Sequence, residues 1–247
     1  MNMKEVKEAI ALLRGQGYGI IPPDQYCVDM PYNFLSIWER ISDYTMTSIE
    51  RGFALYNACI YLAKNEIPGD IVECGVWKGG SSMLAALSLM EAKETTRDLW
   101  MYDTFTGMTE PSEHDKIAST GQSVYTRWQK TENWWAAGLE SVKSNLKSTG
   151  YPTEKQHLIQ GDVTETLKTT KPTTIGLLRL DTDWYESTKT ELEILYPKLA
   201  IGGVLVIDDY GHFTGARKAV DDYFHKIGLS PYLHRADYTG RIMIKRK

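Results

Sequence analysis

From residue 70 onward the chain alternates short apolar runs with helical patterns, and nearly every run closes on a carboxylate. The runs cover residues 70–74, 99–103, 157–162, 174–181 and 204–209. Between them apolar residues recur at helical spacing over 81–91, 128–146, 163–169 and 185–199, and Ile201-Gly202-Gly203 reads as a helix stop. Strands alternating with helices predict a parallel α/β sheet covered on both faces. The tail adds two strands, 232–234 and 240–244, joined by a turn and antiparallel at one end. Asp103, Asp162, Asp181 and Asp208-Asp209 then crowd one rim of the sheet, with Glu73 near the end of the first strand. Like charges on one rim cost stability, and ligands of open α/β sheets bind at the carboxyl ends of strands. The rim therefore predicts a site.

Residues 3–64 carry a different pattern, with apolar residues such as Ile37, Ile41, Ile49, Phe53 and Tyr56 at helical spacing, broken at Pro22-Pro23 and Pro31. The expected organisation is an N-terminal helical lid or dimerisation segment over 1–66 and a single core over 67–247. With 247 residues, 42% of them hydrophobic, the chain has enough apolar surface to order itself. A net charge of −4 gives no general drive toward nucleic acid or anionic membrane. Three scattered cysteines make neither a disulfide framework nor a zinc site, and Cys74 reads as a buried thiol. The charged amphipathic start is unlike a signal peptide, and no window is long and apolar enough to span a membrane, so a cytoplasmic protein is expected.

The run Val72-Glu73-Cys74-Gly75-Val76-Trp77-Lys78-Gly79-Gly80-Ser81-Ser82 joins a strand to a helix through a glycine-rich turn. It matches neither the P-loop nor the dinucleotide fingerprint, which disfavours phosphate cradles. Asp103, at the end of the next strand, can accept hydrogen bonds from both ribose hydroxyls, and Asp162 can face an adenine amino group. Together these features describe a nucleoside without phosphate, and S-adenosylmethionine fits.

Asp181-Thr182-Asp183 follows the fourth strand and Asp208-Asp209 the fifth. Neighbouring parallel strands lie roughly 5 Å apart, so Asp181 and Asp208-Asp209 can converge. Carboxylates with no basic partner nearby in sequence suit a hard cation such as Mg²⁺. Asp183 has a plainer alternative role as the cap of the helix that follows.

In order along the chain, Asp43-Tyr44-Thr45-Met46-Thr47-Ser48 with Glu50-Arg51, the glycine-rich run, Asp103-Thr104-Phe105 with Gly107-Met108, Gly161-Asp162-Val163, Leu180-Asp181-Thr182-Asp183 with Tyr185-Glu186, and Val206-Ile207-Asp208-Asp209-Tyr210 resemble the macrocin O-methyltransferase family, the metal-dependent sugar O-methyltransferases of antibiotic tailoring. The resemblance spans about residues 43–224. It implies a Rossmann-like seven-stranded methyltransferase sheet, S-adenosylmethionine as methyl donor, and Mg²⁺ held by Asp181, Asp208 and Asp209. It also implies Asp181 and Asp183 as catalytic residues, with Asp183 as general base. Thr45, Met46, Ser48, Glu73, Gly75, Gly79, Ser81, Asp103 and Asp162 would bind the cofactor, with the Asp43–Met46 stretch closing over it. A glycoside or saccharide acceptor and a homodimer follow from the same resemblance. A hydroxyl held by a cation and beside a carboxylate is activated for attack, and a vicinal diol is the favoured acceptor.

The rival readings are a catechol-like O-methyltransferase, a nicotinamide-dependent oxidoreductase, and a non-catalytic nucleoside-binding protein. His212 is a second base, an acceptor contact or a solvated loop residue. Lys78 meets the methionine carboxylate or solvent, and Trp128, Trp134 and Trp135 form core, interface or a sugar-stacking wall. The long loop 104–121 is expected to act as a lid over the acceptor site.

Overall fold

The computed structural model describes residues 3–20 and 27–247, so the predicted break at Pro22-Pro23 lies outside the described residues. Contacts divide the chain into one unit ending at Leu35 and another spanning Ser36–Lys247. The first contains helix α1 (Met3–Gly15), whose first turn holds Glu5 and whose last turn holds Arg14, as the helix dipole favours. Helix α2 (Tyr32–Ile41) runs across the division. Helix α3 (Ile49–Lys64), placed with the N-terminal segment by its sequence pattern, belongs to the larger unit with the sheet.

The larger unit continues with β1 (Asp70–Cys74), α4 (Gly80–Glu91), β2 (Leu99–Asp103), α5 (Tyr125–Lys130), α6 (Leu139–Lys147), β3 (Gln156–Gln160) and α7 (Val163–Thr169). Then come β4 (Ile175–Leu180), α8 (Tyr185–Leu195), β5 (Leu199–Ile207), α9 (Thr214–Lys226), β6 (His234–Arg235) and β7 (Arg241–Ile244). The seven strands lie in the order β3-β2-β1-β4-β5-β7-β6. The first five are parallel, while β7 pairs antiparallel with both β5 and β6. Strand order reverses between β1 and β4, which is where an open sheet of this kind leaves a crevice.

Leu178, Leu180, Leu205, Ile207, Val72 and Cys74 form the buried centre, packed on Leu192, Leu195, Val220 and Phe224 from α8 and α9. Every residue of β4 is buried, Arg179 included. A second cluster of Val124, Trp134, Trp184, Phe213 and Ala216 packs the long loop onto the carboxyl end of the sheet.

Two predicted helices come out differently. The pattern over 128–146 divides into α5 and α6, because Asn133 (φ 50°) and Trp135 (φ 57°) enter the left-handed region. There the carbonyl of Trp134 accepts from Met108 N–H at 3.0 Å and its ring packs on Trp184, so tertiary packing overrides helical spacing. Ile201-Gly202-Gly203 is part of β5 and stops no helix: Gly202 N–H donates to Lys245 O and Lys245 N–H donates to Gly203 O. Helix α8 ends earlier, at Leu195, where Pro197 tightens the chain into a 3₁₀ turn.

Candidate active site

One cavity opens at the β1–β4 crevice and gathers most of the predicted site residues. Thr45, Met46, Glu73, Gly75, Ser81, Asp103, Asp162, Asp181, Asp183, Asp208 and Asp209 all line it. Ser48 and Gly79 stand behind the wall. The Ser48 hydroxyl accepts from Arg51 N–H to cap α3 and donates to Asp237 at 2.8 Å. Gly79, left-handed at φ 92°, carries the turn into α4 against Val142. Lys78 lies over the Trp77 ring, and it is not among the lining residues.

The side of the cavity by the glycine-rich turn is built by close backbone approach. Gly75 has φ 83°, and a Cβ there would collide with the carbonyl of Asp181, so only glycine lets β1 pass so near the turn after β4. The Asp103 carboxylate accepts from the N–H groups of Val76 (2.7 Å), Trp77 (2.9 Å) and Phe105 (2.7 Å). It therefore shapes the glycine-rich turn before it meets any ligand. Asp162 caps α7 through one oxygen, which accepts from Thr164 N–H and Oγ1, both at 2.8 Å. The Thr47 hydroxyl is buried in this wall with no hydrogen-bond partner among the described residues.

The other side is acidic. One ligand oxygen from each of Asp181, Asp208 and Asp209 lies within 4.8 Å of the others. Asp183 sits beside them in a tight turn, at φ 67°, closed by Trp184 N–H donating to Thr182 O at 2.7 Å. That conformation is strained for a residue with a side chain, though aspartate tolerates it better than most. The expected alternative, Asp183 capping α8, does not occur: the cap position is Trp184, and Tyr185 N–H is taken by Asp115 at 2.9 Å. Burial, with Asp181 and Asp208 nearby, pushes the Asp183 carboxyl up to about 8. Burial and neighbouring carboxyls also raise Asp181 and Asp209 well above the usual carboxylate range.

The expectation that these acids lack a nearby basic partner is corrected by the structure. Arg179 projects from near the carboxyl end of β4, with Nη1 2.6 Å from both Glu73 and Asp181 and Nη2 2.7 Å from Asp208. Arg51, on the first turn of α3, pairs with Asp208 and with Asp237 (3.0 Å). Burial works against both guanidinium groups, yet the surrounding carboxylates hold their pKa values above the ordinary arginine value. A lone arginine inside the apolar run 174–180 was the available signal. Glu73 spends one oxygen on Arg179 and the other on the Ser82 hydroxyl, so it anchors the floor while lining the cavity.

Two arginines still leave the cluster acid-rich. No donor among the described residues reaches Asp209 Oδ2, and its side chain meets Asp183 and Asp181, which are carboxyls themselves. An all-oxygen donor set with an unpaired buried oxygen fits a hard divalent cation. The orphaned Thr47 hydroxyl and the glycine approach fit a small polar ligand by the glycine-rich turn. Trp135, Met108, Phe213 and Tyr238 also line the cavity with His212, whose ring nitrogen is 3.4 Å from the Tyr238 hydroxyl. Burial and Arg51 lower the His212 pKa.

The strand order and a glycine turn free of phosphate features define an S-adenosylmethionine-dependent methyltransferase of the seven-stranded class. A family model described as macrocin O-methyltransferase matches residues 38–245, and the chain belongs to that family. It is 32% identical over 205 residues to the 8-demethyl-8-(2,3-dimethoxy-alpha-L-rhamnosyl)-tetracenomycin-C 4'-O-methyltransferase of Streptomyces olivaceus, covering 82% of this chain and 76% of that one. It is 30% identical over 197 residues to the demethyldecarbamoylnovobiocin O-methyltransferase of Streptomyces niveus, covering 80% and 74%. Among solved structures, the O-methyltransferase NovP superposes with a TM-score of 0.74 at 29% identity, covering 83% of each chain. Family membership sets aside the oxidoreductase and the non-catalytic readings.

Proposed function

We propose that this enzyme transfers a methyl group from S-adenosylmethionine to a sugar hydroxyl of a glycosylated natural product, with Mg²⁺ held by Asp181, Asp208 and Asp209. The observation that carries this reading is the convergence of those three carboxylates beside Asp183, in the same cavity as the glycine turn, Asp103 and Asp162. The relatives above are named for a rhamnosyl tetracenomycin and for demethyldecarbamoylnovobiocin, and the rhamnosyl group in the first name supports a glycoside acceptor.

A divalent ion bound at such a trio supplies acidity to a coordinated hydroxyl and fixes its position. Asp183 stands within the cluster to take the hydroxyl proton. Asp103 orders the turn that would carry the ribose, Asp162 offers its second oxygen toward an adenine amino group, and Thr45, Met46 and Thr47 form the opposing wall. Alignment of the sulfonium methyl with the acceptor oxygen then contributes through positioning. Membership of residues 1–66 in a lid or dimer contact, a homodimeric state and a cytoplasmic location belong to the same proposal. No helix among the described residues is long and apolar enough to cross a membrane.

The aromatic residues lining the cavity, Trp135, Phe213 and Tyr238, are what favours the second reading, a flat phenolic diol as acceptor. Mass-spectrometric screening of glycosides and catechols with S-adenosylmethionine decides between them. A one-methyl gain on glycosides is expected; gain on catechols alone would overturn the glycoside reading.

A further inference from the structure

Both oxygens of Asp208 are already committed to arginines: Oδ1 to Arg179 Nη2 at 2.7 Å and Oδ2 to Arg51 Nη1. Each oxygen keeps a second lone pair, but a cation bound to Asp208 with Asp181 and Asp209 would stand against both guanidinium groups, and like-charge repulsion favours moving one of them away. Arg179 has nowhere to go. It stands near the carboxyl end of a fully buried central strand, its side chain is 5% exposed, and Glu73 and Asp181 hold its other arm. Arg51 is placed differently. It lies on the first turn of α3, lines the cavity, and keeps a second carboxylate in hand, because its Nε already bonds Asp237 Oδ2. Asp237 in turn is ionised in place, held below the usual carboxylate range against its burial by the N–H groups of Gly240 and Thr239, by Arg51 and by Ser48.

We infer that Arg51 is an internal competing cation: it occupies Asp208 Oδ2 when no ion is bound and withdraws onto Asp237 when a divalent ion takes that oxygen. Arg51 is thus a positioning residue that sets ion affinity through Asp208. The Ser48 hydroxyl, which caps α3 and bonds the same oxygen of Asp237, ties this exchange to the Thr45–Thr47 wall of the cavity. The inference rests on the magnesium reading above.

The test is titration with Mn²⁺, which takes the same oxygen ligands, read as the free-ion signal in electron paramagnetic resonance with S-adenosylhomocysteine at saturation. Wild type, Arg51→Gln, Arg51→Lys and Asp237→Asn are compared. Removing the competitor in Arg51→Gln should tighten Mn²⁺ binding by about tenfold, and Arg51→Lys, which keeps a charge without the forked donor, should fall between. Asp237→Asn removes the refuge, so Arg51 holds Asp208 more firmly and Mn²⁺ binds several-fold more weakly. Opposite signs at two neighbouring positions are not what a merely structural role produces. Unchanged or weaker binding in Arg51→Gln, or tighter binding in Asp237→Asn, overturns the inference. Should Arg51→Gln fail to fold, Arg51→Lys and Asp237→Asn carry the same opposed signs. Absence of Mn²⁺ binding in the wild type would sink the magnesium reading itself, whereas normal wild-type binding with unmoved variants sinks only the role of Arg51.

Discussion

Asp181 and Asp183 stand two residues apart and meet different surroundings. Asp181 is partly exposed, its side chain 27% accessible, and it pairs with Arg179 while offering an oxygen to the trio. Asp183 is 8% exposed, held in a left-handed turn and bonded to Asp209. The two substitutions should therefore separate. Asp181→Ala is expected to abolish turnover with cofactor affinity nearly intact, whereas Asp103→Ala, which dismantles the hydrogen bonds to Val76, Trp77 and Phe105, chiefly weakens the cofactor. Calorimetric titration with S-adenosylhomocysteine beside turnover assays checks this, and reversed phenotypes would show the assignments to be exchanged. Asp183→Asn should lower kcat by about 10²- to 10⁴-fold, the usual scale for a lost general base, while leaving S-adenosylhomocysteine affinity in place. At this scale the acids were legible because carboxylates recur at strand ends. Arg51 leaves no mark in local spacing because a distant helix brings it, whereas Arg179 is visible two residues before Asp181 and only its pairing with Glu73 and Asp208 across the neighbouring strands is hidden.

At the scale of elements, the loop after β2 shows what sequence spacing leaves out. Its length suggested a lid, and Thr104, Gly107, Met108 and Thr109 do line the cavity. Its second half is anchored, however. Asp115 is fully buried, accepting from Ser112 N–H (2.6 Å) and Oγ (2.7 Å) and from Tyr185 N–H at the start of α8. Gly215 leaves no room beyond this carboxylate, since a Cβ there would strike it. Asp115→Ala strands those donors in a dry site and should cost about 2–3 kcal/mol, measured by urea unfolding; a loss near zero would show that water replaces the carboxylate. In limited proteolysis, bound cofactor should slow cleavage within 104–111, and equal cutting with and without it counts against the lid. The helix boundaries that sequence placed well, such as α7 and the start of α8, have a strand end just before them. Of the two misplaced helices, the one over 128–146 depended on Trp134 packing against Trp184, a contact between segments far apart in the chain.

For the whole molecule, strand–helix alternation foretold the parallel sheet because each strand needs a covering helix and each crossover needs a helix's length. Strand order is set by which faces pack together, so the sequence reading took the seven-stranded arrangement from family resemblance, and the structure bears it out with β3-β2-β1-β4-β5-β7-β6. That order has a chemical consequence. Placing β1 between β2 and β4 puts the glycine turn within reach of Asp103 on one side and of Asp181 on the other, so the cofactor cradle and the acidic cluster share one crevice. The proposed function requires these two halves to work together through a divalent ion at Asp181, Asp208 and Asp209. Its most direct test is methyl transfer to a glycoside acceptor, followed by mass spectrometry after treatment with a chelator and again after adding back Mg²⁺. The expected result is loss of the methylated product on chelation and recovery with Mg²⁺; undiminished methylation in excess chelator would contradict it.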